Sequence, residues 1–372
     1  MKTERYDRQI ILHGFGEEAQ FRLSAARVLV IGAGGLGCPI LQYLVAAGTG
    51  HIGIVDDDTI ALSNLQRQIL FSTADVGKLK TIVAVQRLQE MNPEIEIKPF
   101  NLRIQKNNIL DLLKAYDIII DGTDNFDSRY LINDACTLLK KPLIFAAVSG
   151  YEGQLAIFNV KDHQGKATNY RDIFPVSPQA GEIPNCAENG VLGVVPGIIG
   201  AMAAAEAIKM ITGIGKPLIN ILLHYNLLNQ EQYQMHITPA TDYTLPTTED
   251  DFLKMNNHHD LESPSTYIEV DAIQMHALQQ LPSTLLIDVR ERHEVPVLDP
   301  VTYIKVPMSE FDTFLNTDIQ EENILLLCQH GIRSVAAAEA LQEKYGHSKK
   351  IYSLKGGIVK WRDHFLTPSN ER

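Results

Sequence analysis

Residues 27–40 read RVLVIGAGGLGCPI: an apolar, β-branched run ends at Gly32-Ala33-Gly34-Gly35-Leu36-Gly37 and passes into LGCPILQYLVAAG. A strand, a glycine turn and a helix in that order make a phosphate-binding corner. Glycine lets the backbone come close to a phosphate, and the helix N-terminus supplies N–H groups and positive potential. Asp56 closes the next strand, HIGIVD, where a carboxylate can hydrogen-bond a ribose hydroxyl. These residues serve a hydride-transferring nicotinamide enzyme as well as they serve an enzyme that cuts ATP.

Outward from that corner, apolar strands alternate with helical patterns as far as about residue 158. YDIIIDGTD, KPLIFAAVSG and GQLAIFNV read as strands, and KLKTIVAVQRLQEMN and SRYLINDACTLLKK as helices. Such alternation predicts a doubly covered, mostly parallel Rossmann-like sheet. Residues 161–190 are rich in Pro and Gly, too long for a simple connection, and read as a functional loop. A helix is expected from about Gly197 to Thr212, followed by strand-like NILLHYNLLNQEQYQMHI. Residues 237–264 are polar, acidic and without periodicity, and read as a linker between a domain of residues 1–236 and a second of residues 265–372. In the second, TYIEV, TLLIDVR, TYIKVP, NILLLC and KIYSL read as strands of a small α/β domain.

The chain has 372 residues, 45% of them hydrophobic, enough for two domains with buried cores. Its 33 Lys and Arg against 45 Asp and Glu, a net charge of −12, argue against a broad nucleic-acid surface. The N-terminus MKTERYDRQI is polar, and the longest apolar stretch, GVLGVVPGIIGAMAAAEAIKM, is interrupted by Pro196 and four glycines, so neither a leader nor a membrane span is expected. A cytoplasmic protein is the expectation. The four cysteines, Cys38, Cys136, Cys186 and Cys328, form no Cys-x-x-Cys pair.

SNLQRQILF brings Asn64, Arg67 and Gln68 close after Asp56, and Lys80 follows in VGKLK. A triphosphate needs several cationic clamps, whereas a dinucleotide needs little beyond the helix end. Asp124, in DGTDN, falls at the carboxyl edge of the sheet, where it is a candidate magnesium ligand. Taken singly, Arg67 also reads as a solvated charge, Asp124 as part of a helix cap and Asp56 as a turn residue. The joint arrangement favours a nucleotide that is cut, with Gly32, Gly34, Gly35 and Gly37 forming the turn.

RYDRQIILHGFG, VIGAGGLGCP, VDDDTIALSNLQRQILF, GKLK, DGTDNFDSRYLIND and NCAENGVLGVVPGIIG together resemble, in order and spacing, the MoeB/ThiF-like adenylyltransferases that activate ubiquitin-like sulfur carriers. The resemblance spans roughly residues 4–235. It implies that Asp56 holds the ATP ribose, that Asn64, Arg67 and Lys80 contact phosphates, and that Asp124 binds magnesium. It also implies that Arg8 reaches into the partner's site of a homodimer. Cys186, in IPNCAENG, matches a cysteine that some such enzymes use covalently; Cys38 and Cys136 read as core. Relatives commonly hold a structural zinc on two Cys-x-x-Cys pairs, but Asn169 and Asp172 stand where the first pair would fall, so no zinc is expected.

NILLLCQHGIRSVAAAEAL runs strand, loop, helix, with Cys328 at the strand end and Arg333 and Ser334 closing the loop. A thiol among loop N–H groups, beside an arginine and a helix N-terminus, is expected to ionise readily. Only four residues separate Cys328 from Arg333, one fewer than in cysteine phosphatases, so the ring suits a persulfide sulfur better than a phosphate. With LIDVRE near residue 286 and LKGGIVKW at 354–361, the stretch resembles rhodanese domains over residues 265–365. That implies a persulfide on Cys328, with Asp288 and Arg290 structural.

The expectation is therefore an ATP-dependent adenylyltransferase with sulfurtransferase activity. It would act on the Gly-Gly terminus of a carrier protein, either the small subunit of molybdopterin synthase or the thiamine sulfur carrier, with a sulfur donor such as a cysteine desulfurase. The alternatives are an adenylating enzyme whose second domain only binds, and a nicotinamide-dependent oxidoreductase.

Overall fold

The structure, a computed structural model, describes residues 3–177, 190–240, 243–255, 267–292, 294–329, 331–361 and 365. Cys186, His330 and residues 256–264 of the expected linker lie outside the described residues. Among the described residues the chain divides into two compact units, 3–177 with 190–255, and 267 onward.

The first unit opens with α1 (Asp7–Ile10) and α2 (Gly16–Ala25). It continues through β1 (Arg27–Ile31), α3 (Gly37–Ala47), β2 (His51–Val55), α4 (Lys80–Met91), β3 (Glu96–Phe100), α5 (Lys106–Lys114), β4 (Ile118–Asp121) and α6 (Phe126–Leu139). Then come β5 (Leu143–Ser149), β6 (Glu152–Phe158), α7 (Val194–Thr212), β7 (Ile221–Asn226), β8 (Glu231–His236) and α8 (Glu249–Lys254). The strands form one sheet in the order β3-β2-β1-β4-β5-β6-β7-β8, parallel from β3 to β5 and antiparallel beyond. The chain leaves β1 toward β2 on one side and later returns to β4 on the other. That reversal opens a crevice at the carboxyl ends of β1 and β4. The sheet is apolar on both faces because helices cover both: Val28, Val30 and Ile120 belong to one core, Leu29, Ile31 and Ile119 to the other.

Three elements differ from the sequence reading. β3, EIKPF, has no apolar run and contains Pro99, which a strand tolerates here because β3 is the sheet edge. The helix expected from about Gly197 begins three residues earlier and runs through Pro196 as α7 (Val194–Thr212), 19 residues long with mean hydropathy 1.6. Pro196 sits in its first turn, where no intrahelical donor is lost. Gly200 lets α7 press on α3, since a Cβ there would stand 2.5 Å from Pro39 Cγ. α7 is long and apolar enough to cross a membrane, yet Val195, Ile199, Ala203, Ala204 and Ala207 are core residues of this unit.

The third difference is the start of the expected linker: residues 237–240 and 243–255 fold onto the first unit. Ile237 and Phe252 are buried in the same core as Leu110 and Tyr130, and Thr248 caps α8 by accepting the Asp251 N–H at 3.0 Å. Asn169 and Asp172 tie this segment down. Asp172 Oδ1 accepts from Ala240 N–H and from Tyr243 Oη, each at 2.6 Å, and Asn169 Nδ2 donates to Tyr243 Oη, also at 2.6 Å. Burial together with Asp172 pushes the Tyr243 hydroxyl up to about 12. Hydrogen bonds thus join Asn169 and Asp172, where the resemblance would place a first cysteine pair, to the segment that follows β8. Phe252→Ala is expected to cost about 3–5 kcal/mol, read as a lower denaturant midpoint, as for a fully packed aromatic side chain. A linker residue would cost nothing measurable.

The second unit contains β9 (Ile268–Val270), α9 (Ala272–Gln279), β10 (Thr284–Asp288), β11 (Ile304–Lys305), α10 (Phe311–Leu315), β12 (Asn323–Leu327), α11 (Ile332–Tyr345), β13 (Lys350–Leu354) and α12 (Gly357–Lys360). Its five strands, all foreseen from the sequence, form a parallel sheet in the order β11-β10-β12-β13-β9. The central strand, β12, is buried along its whole length and delivers Cys328.

Candidate nucleotide and sulfur sites

A cavity of about 290 Å³ opens at the crevice between β1 and β4. Gly32, Gly34, Gly35, Asp56, Arg67, Gln68, Lys80 and Asp124 all line it. Gly32 adopts φ +97°, and a Cβ there would stand 2.8 Å from Gly122 O, so the two strand ends meet at backbone distance. Gly37 is not in the wall. A Cβ on it would lie 1.9 Å from Gly32 O, so its bare backbone serves the tight turn into α3.

Asp56 is fixed by two backbone donors: Ala33 N–H to Oδ2 at 2.8 Å and Asp58 N–H to Oδ1 at 2.9 Å. Burial holds its carboxyl above the usual range, an effect that the charge of Lys80 opposes. Lys80, only 5% exposed at the start of α4, is 2.7 Å from Asp58 Oδ2 and 3.7 Å from Asp56 Oδ1. Arg67 lies along the glycine turn, its Nη1 donating to Ser63 O at 3.2 Å. Gln68 is buried, with no protein partner for its Oε1 among the described residues. An orphaned buried acceptor in the wall of a cavity fits a bound donor such as a ribose or base.

Asn64 takes a different place from the one expected: its Oδ1 accepts the Ala61 N–H at 3.1 Å, closing a short helical turn, and it is not among the cavity residues. By capping this turn, Asn64 helps to position Arg67 and Gln68, which follow it. Arg8 stands exposed on α1 and is likewise absent from the cavity of its own chain. Sequence reading missed Arg103, Thr123, Asn125 and Ser128, which complete the wall. Arg103 follows the edge strand β3, which carries no apolar signature. Thr123 is held by Asp121, which accepts its N–H at 2.9 Å and its hydroxyl at 2.7 Å.

Cys38 and Cys136 are core residues as expected: burial pushes the Cys38 thiol up to about 12 and that of Cys136 well above its ordinary value. Cys328 is also buried and belongs to the core of the second unit, but polar groups meet its Sγ. Gly331 N–H donates to its Sγ at 3.1 Å, and Ser334 Oγ stands 3.5 Å away. The loop is braced from α12, where Ile358 N–H donates to Cys328 O at 2.9 Å and Val359 N–H to Gln329 O at 3.0 Å. The bracing needs glycine: a Cβ on Gly331 would lie 2.8 Å from Gly356 N, and one on Gly357 2.5 Å from Gln329 O.

Arg333, expected beside the thiol, forms a two-pronged pair with Glu294 at 2.6 and 2.9 Å. The carboxylate draws the guanidinium toward the neighbouring loop, and Arg333 in turn helps to hold Glu294 below the usual carboxylate range, against its burial. Arg290 is fully buried and paired with Asp288 at 2.8 Å; it also donates to Pro296 O at 2.9 Å and Gln329 Oε1 at 3.3 Å. Both arginines therefore anchor the 294–296 segment to the loop that carries Cys328.

Residues 6–245 match the ThiF family, and residues 271–364 match the rhodanese-like domain. The sulfur carrier protein adenylyltransferase of Thermus thermophilus is 49% identical over 228 residues, 61% of this chain and 84% of that protein. The probable adenylyltransferase/sulfurtransferase MoeZ of Mycobacterium tuberculosis is 39% identical over 374 residues, 97% of this chain and 93% of that protein. The adenylyltransferase and sulfurtransferase MOCS3 of Drosophila persimilis is 37% identical, over 96% of this chain and 82% of that protein. A crystal structure of Escherichia coli MccB with AMPCPP and MccA shares the fold, with TM-score 0.57 and 23% identity over 67% of this chain and 75% of that one. The chain belongs to the ThiF family and is an adenylyltransferase of that family, joined to a rhodanese-like domain.

Proposed function

We propose that this enzyme adenylates the C-terminal Gly-Gly carboxylate of a ubiquitin-like sulfur-carrier protein and delivers sulfur to it from a persulfide on Cys328. The carrier of molybdopterin synthase is the first candidate, because full-length relatives bear MoeZ and MOCS3 names; the thiamine carrier is the second. The observation that carries the reading is the convergence of Asp56, Arg67, Gln68, Lys80 and Asp124 on one cavity at the strand reversal.

ThiF-type adenylyltransferases use ATP. Asp56 would take the ribose, and the glycine turn and the start of α3 would face phosphate oxygens. The carrier carboxylate attacks the α-phosphorus, a P–O bond to it forms, and pyrophosphate leaves. The nucleophile is already an anion, so no protein base is required. The cost is electrostatic, since two anions must meet. The cavity wall holds Arg67, Lys80 and Arg103 against Asp56, Asp57, Asp58 and Asp124, three cations to four carboxylates. This chain alone therefore does not neutralise a triphosphate.

Two additions fit the deficit. Asp124 is exposed in the wall and has no hydrogen bond or ion pair among the described residues, which suits a magnesium ligand. Magnesium, when bound, lowers the charge on the phosphates. Arg8, exposed on its own chain, would supply a further cation to the partner's cavity in a homodimer. Mixing Arg8→Ala and Asp124→Asn protomers is then expected to restore about a quarter of wild-type exchange from two inactive proteins, because half the dimers carry one intact composite site. If Arg8 acted within its own chain, the mixture would stay inactive. A cysteine desulfurase, or another persulfide donor, would charge Cys328; Cys186 remains a candidate for covalent attachment, and a cytoplasmic setting suits the free thiols.

The deciding experiment is ATP–pyrophosphate exchange with magnesium, with and without carriers ending in Gly-Gly. Exchange is expected only with the cognate carrier. Exchange without any carrier, or none with any carrier tested, would overturn the proposal.

A further inference from the structure

Cys328 sits at the end of a short buried chain of hydroxyls that the sulfur chemistry described so far does not use. Ser353, on β13, donates its hydroxyl to Ser334 Oγ at 2.9 Å. Ser334, in the first turn of α11, stands 3.5 Å from Cys328 Sγ and donates to Gly331 O at 3.1 Å. All three side chains are at most 1% exposed. No water competes for these groups, so the orientation of each hydroxyl is decided by the protein.

We propose that Ser334 is a catalytic residue of sulfur transfer: its hydroxyl, kept in register by Ser353, turns to donate to Cys328 Sγ when the thiol ionises. This rests on the reading that Cys328 carries the sulfur. With the thiol protonated, the S–H donates to Ser334 Oγ and Ser334 donates onward to Gly331 O. Loss of the thiol proton removes one donor and creates an anion. The Ser334 proton reaches it by rotation about a single bond, with no repacking. Ser353 keeps an acceptor lone pair of Ser334 occupied throughout, so the Ser334 proton is left to face either Gly331 O or the sulfur. Together with Gly331 N–H, the thiolate then receives two hydrogen bonds, both charge-assisted.

The charged groups on neighbouring elements are already engaged. Arg333 pairs with Glu294, and Arg290 and Lys305 both pair with Asp288. Glu291 accepts from Ser309, and Lys360 lies over the Trp361 ring. His330 lies outside the described residues. Among the described residues, the groups recorded within hydrogen-bond reach of Sγ are neutral: Gly331 N–H and the Ser334 hydroxyl. The ionised sulfur attacks the outer sulfur of a donor persulfide R–S–SH; a new S–S bond forms on Cys328, the donor's own S–S bond breaks, and R–S⁻ departs. A group that stabilises the thiolate raises the fraction ready for this step at neutral pH.

The test is a titration of Cys328 in the full chain by ultraviolet thiolate absorbance, each protein measured against its own Cys328→Ala counterpart so that other thiols cancel. Ser334→Ala is expected to raise the midpoint by about one to two pH units, the loss of one charge-assisted hydrogen bond. Ser334→Thr, which keeps the hydroxyl, is expected to titrate close to wild type, and Ser353→Ala to shift upward by less than Ser334→Ala. A Ser334→Ala midpoint equal to wild type in a folded protein would overturn the proposal; should that variant not fold, an unchanged Ser353→Ala midpoint would do so. Treating wild type with thiosulfate and locating the added sulfur by mass spectrometry tests the underlying reading separately. Absence of persulfide on Cys328 would remove that reading while the titration still reports on Ser334.

Discussion

Cys328→Ala is expected to reduce carrier thiocarboxylate formation at least about 100-fold with a persulfide donor, because the reaction loses a nucleophile held at high local concentration. Carrier-dependent ATP–pyrophosphate exchange in the same protein is expected to stay at the wild-type rate. The asymmetry follows from construction. The adenylating cavity is built entirely from the first unit, with β1, β2 and β4 setting its walls. Cys328 belongs to a separate parallel sheet with its own core of Ile287, Ile324, Leu326 and Leu341. Trimming the thiol from the end of β12 leaves the Ile358-to-Cys328 backbone bond and the glycine contacts of the loop in place, so the domain keeps its shape. Excess sulfide in solution is expected to restore part of the yield, since the acyl-adenylate is still made. An unchanged yield from Cys328→Ala with a persulfide donor would mean that the second domain binds partners and that sulfur arrives by another route.

Elements whose physics is local were readable in the sequence. β1, its glycine turn and α3 announce themselves through an apolar run, residues that can adopt positive φ, and helical spacing; the five strands of the second domain do so through short, largely apolar runs. β3 was not readable, because an edge strand needs neither an apolar face nor a full set of donors and so can hold Pro99. Nor was the docking of residues 237–240 and 243–255. One buried aromatic, Phe252, and a hydrogen-bond cluster at Asn169, Asp172 and Tyr243 hold that segment, and composition averages across both. At the sites, residue type found the cavity wall, but direction was hidden. Asn64 turns back onto its own loop, and Arg333 turns to a glutamate 39 positions away in sequence. The glycine turn by itself was ambiguous between nucleotides; the ordered clamp residues resolved it, since only a triphosphate needs them.

Lys80→Ala carries the second large effect: carrier-dependent ATP–pyrophosphate exchange is expected to fall about 10²–10³-fold, as when one preorganised group that meets developing charge is removed from an active site. Lys80 is almost wholly buried and faces Asp58 and Asp56, so it already holds its ammonium where the phosphates would arrive and pays no ordering entropy on binding. Its removal strips a cation from a wall already short of positive charge. It also removes what restrains the Asp56 carboxyl, which burial already holds above its usual range. Without Lys80 that carboxyl rises further. A carboxyl raised in this way favours the fold while protonated, so that contribution, whole below the ordinary aspartate range, is lost as pH rises from there through the raised value, over a window that now extends higher. The acid limb of exchange, where Asp56 must be ionised to hold the ribose, is therefore expected to move toward neutral pH in Lys80→Ala and to stay put in Arg67→Ala, whose guanidinium lies on the glycine turn. Exchange measured from acid to neutral pH in the two variants separates the roles. A uniform loss in both, with no displacement of the acid limb, would show that Lys80 acts on the phosphates alone and not through Asp56.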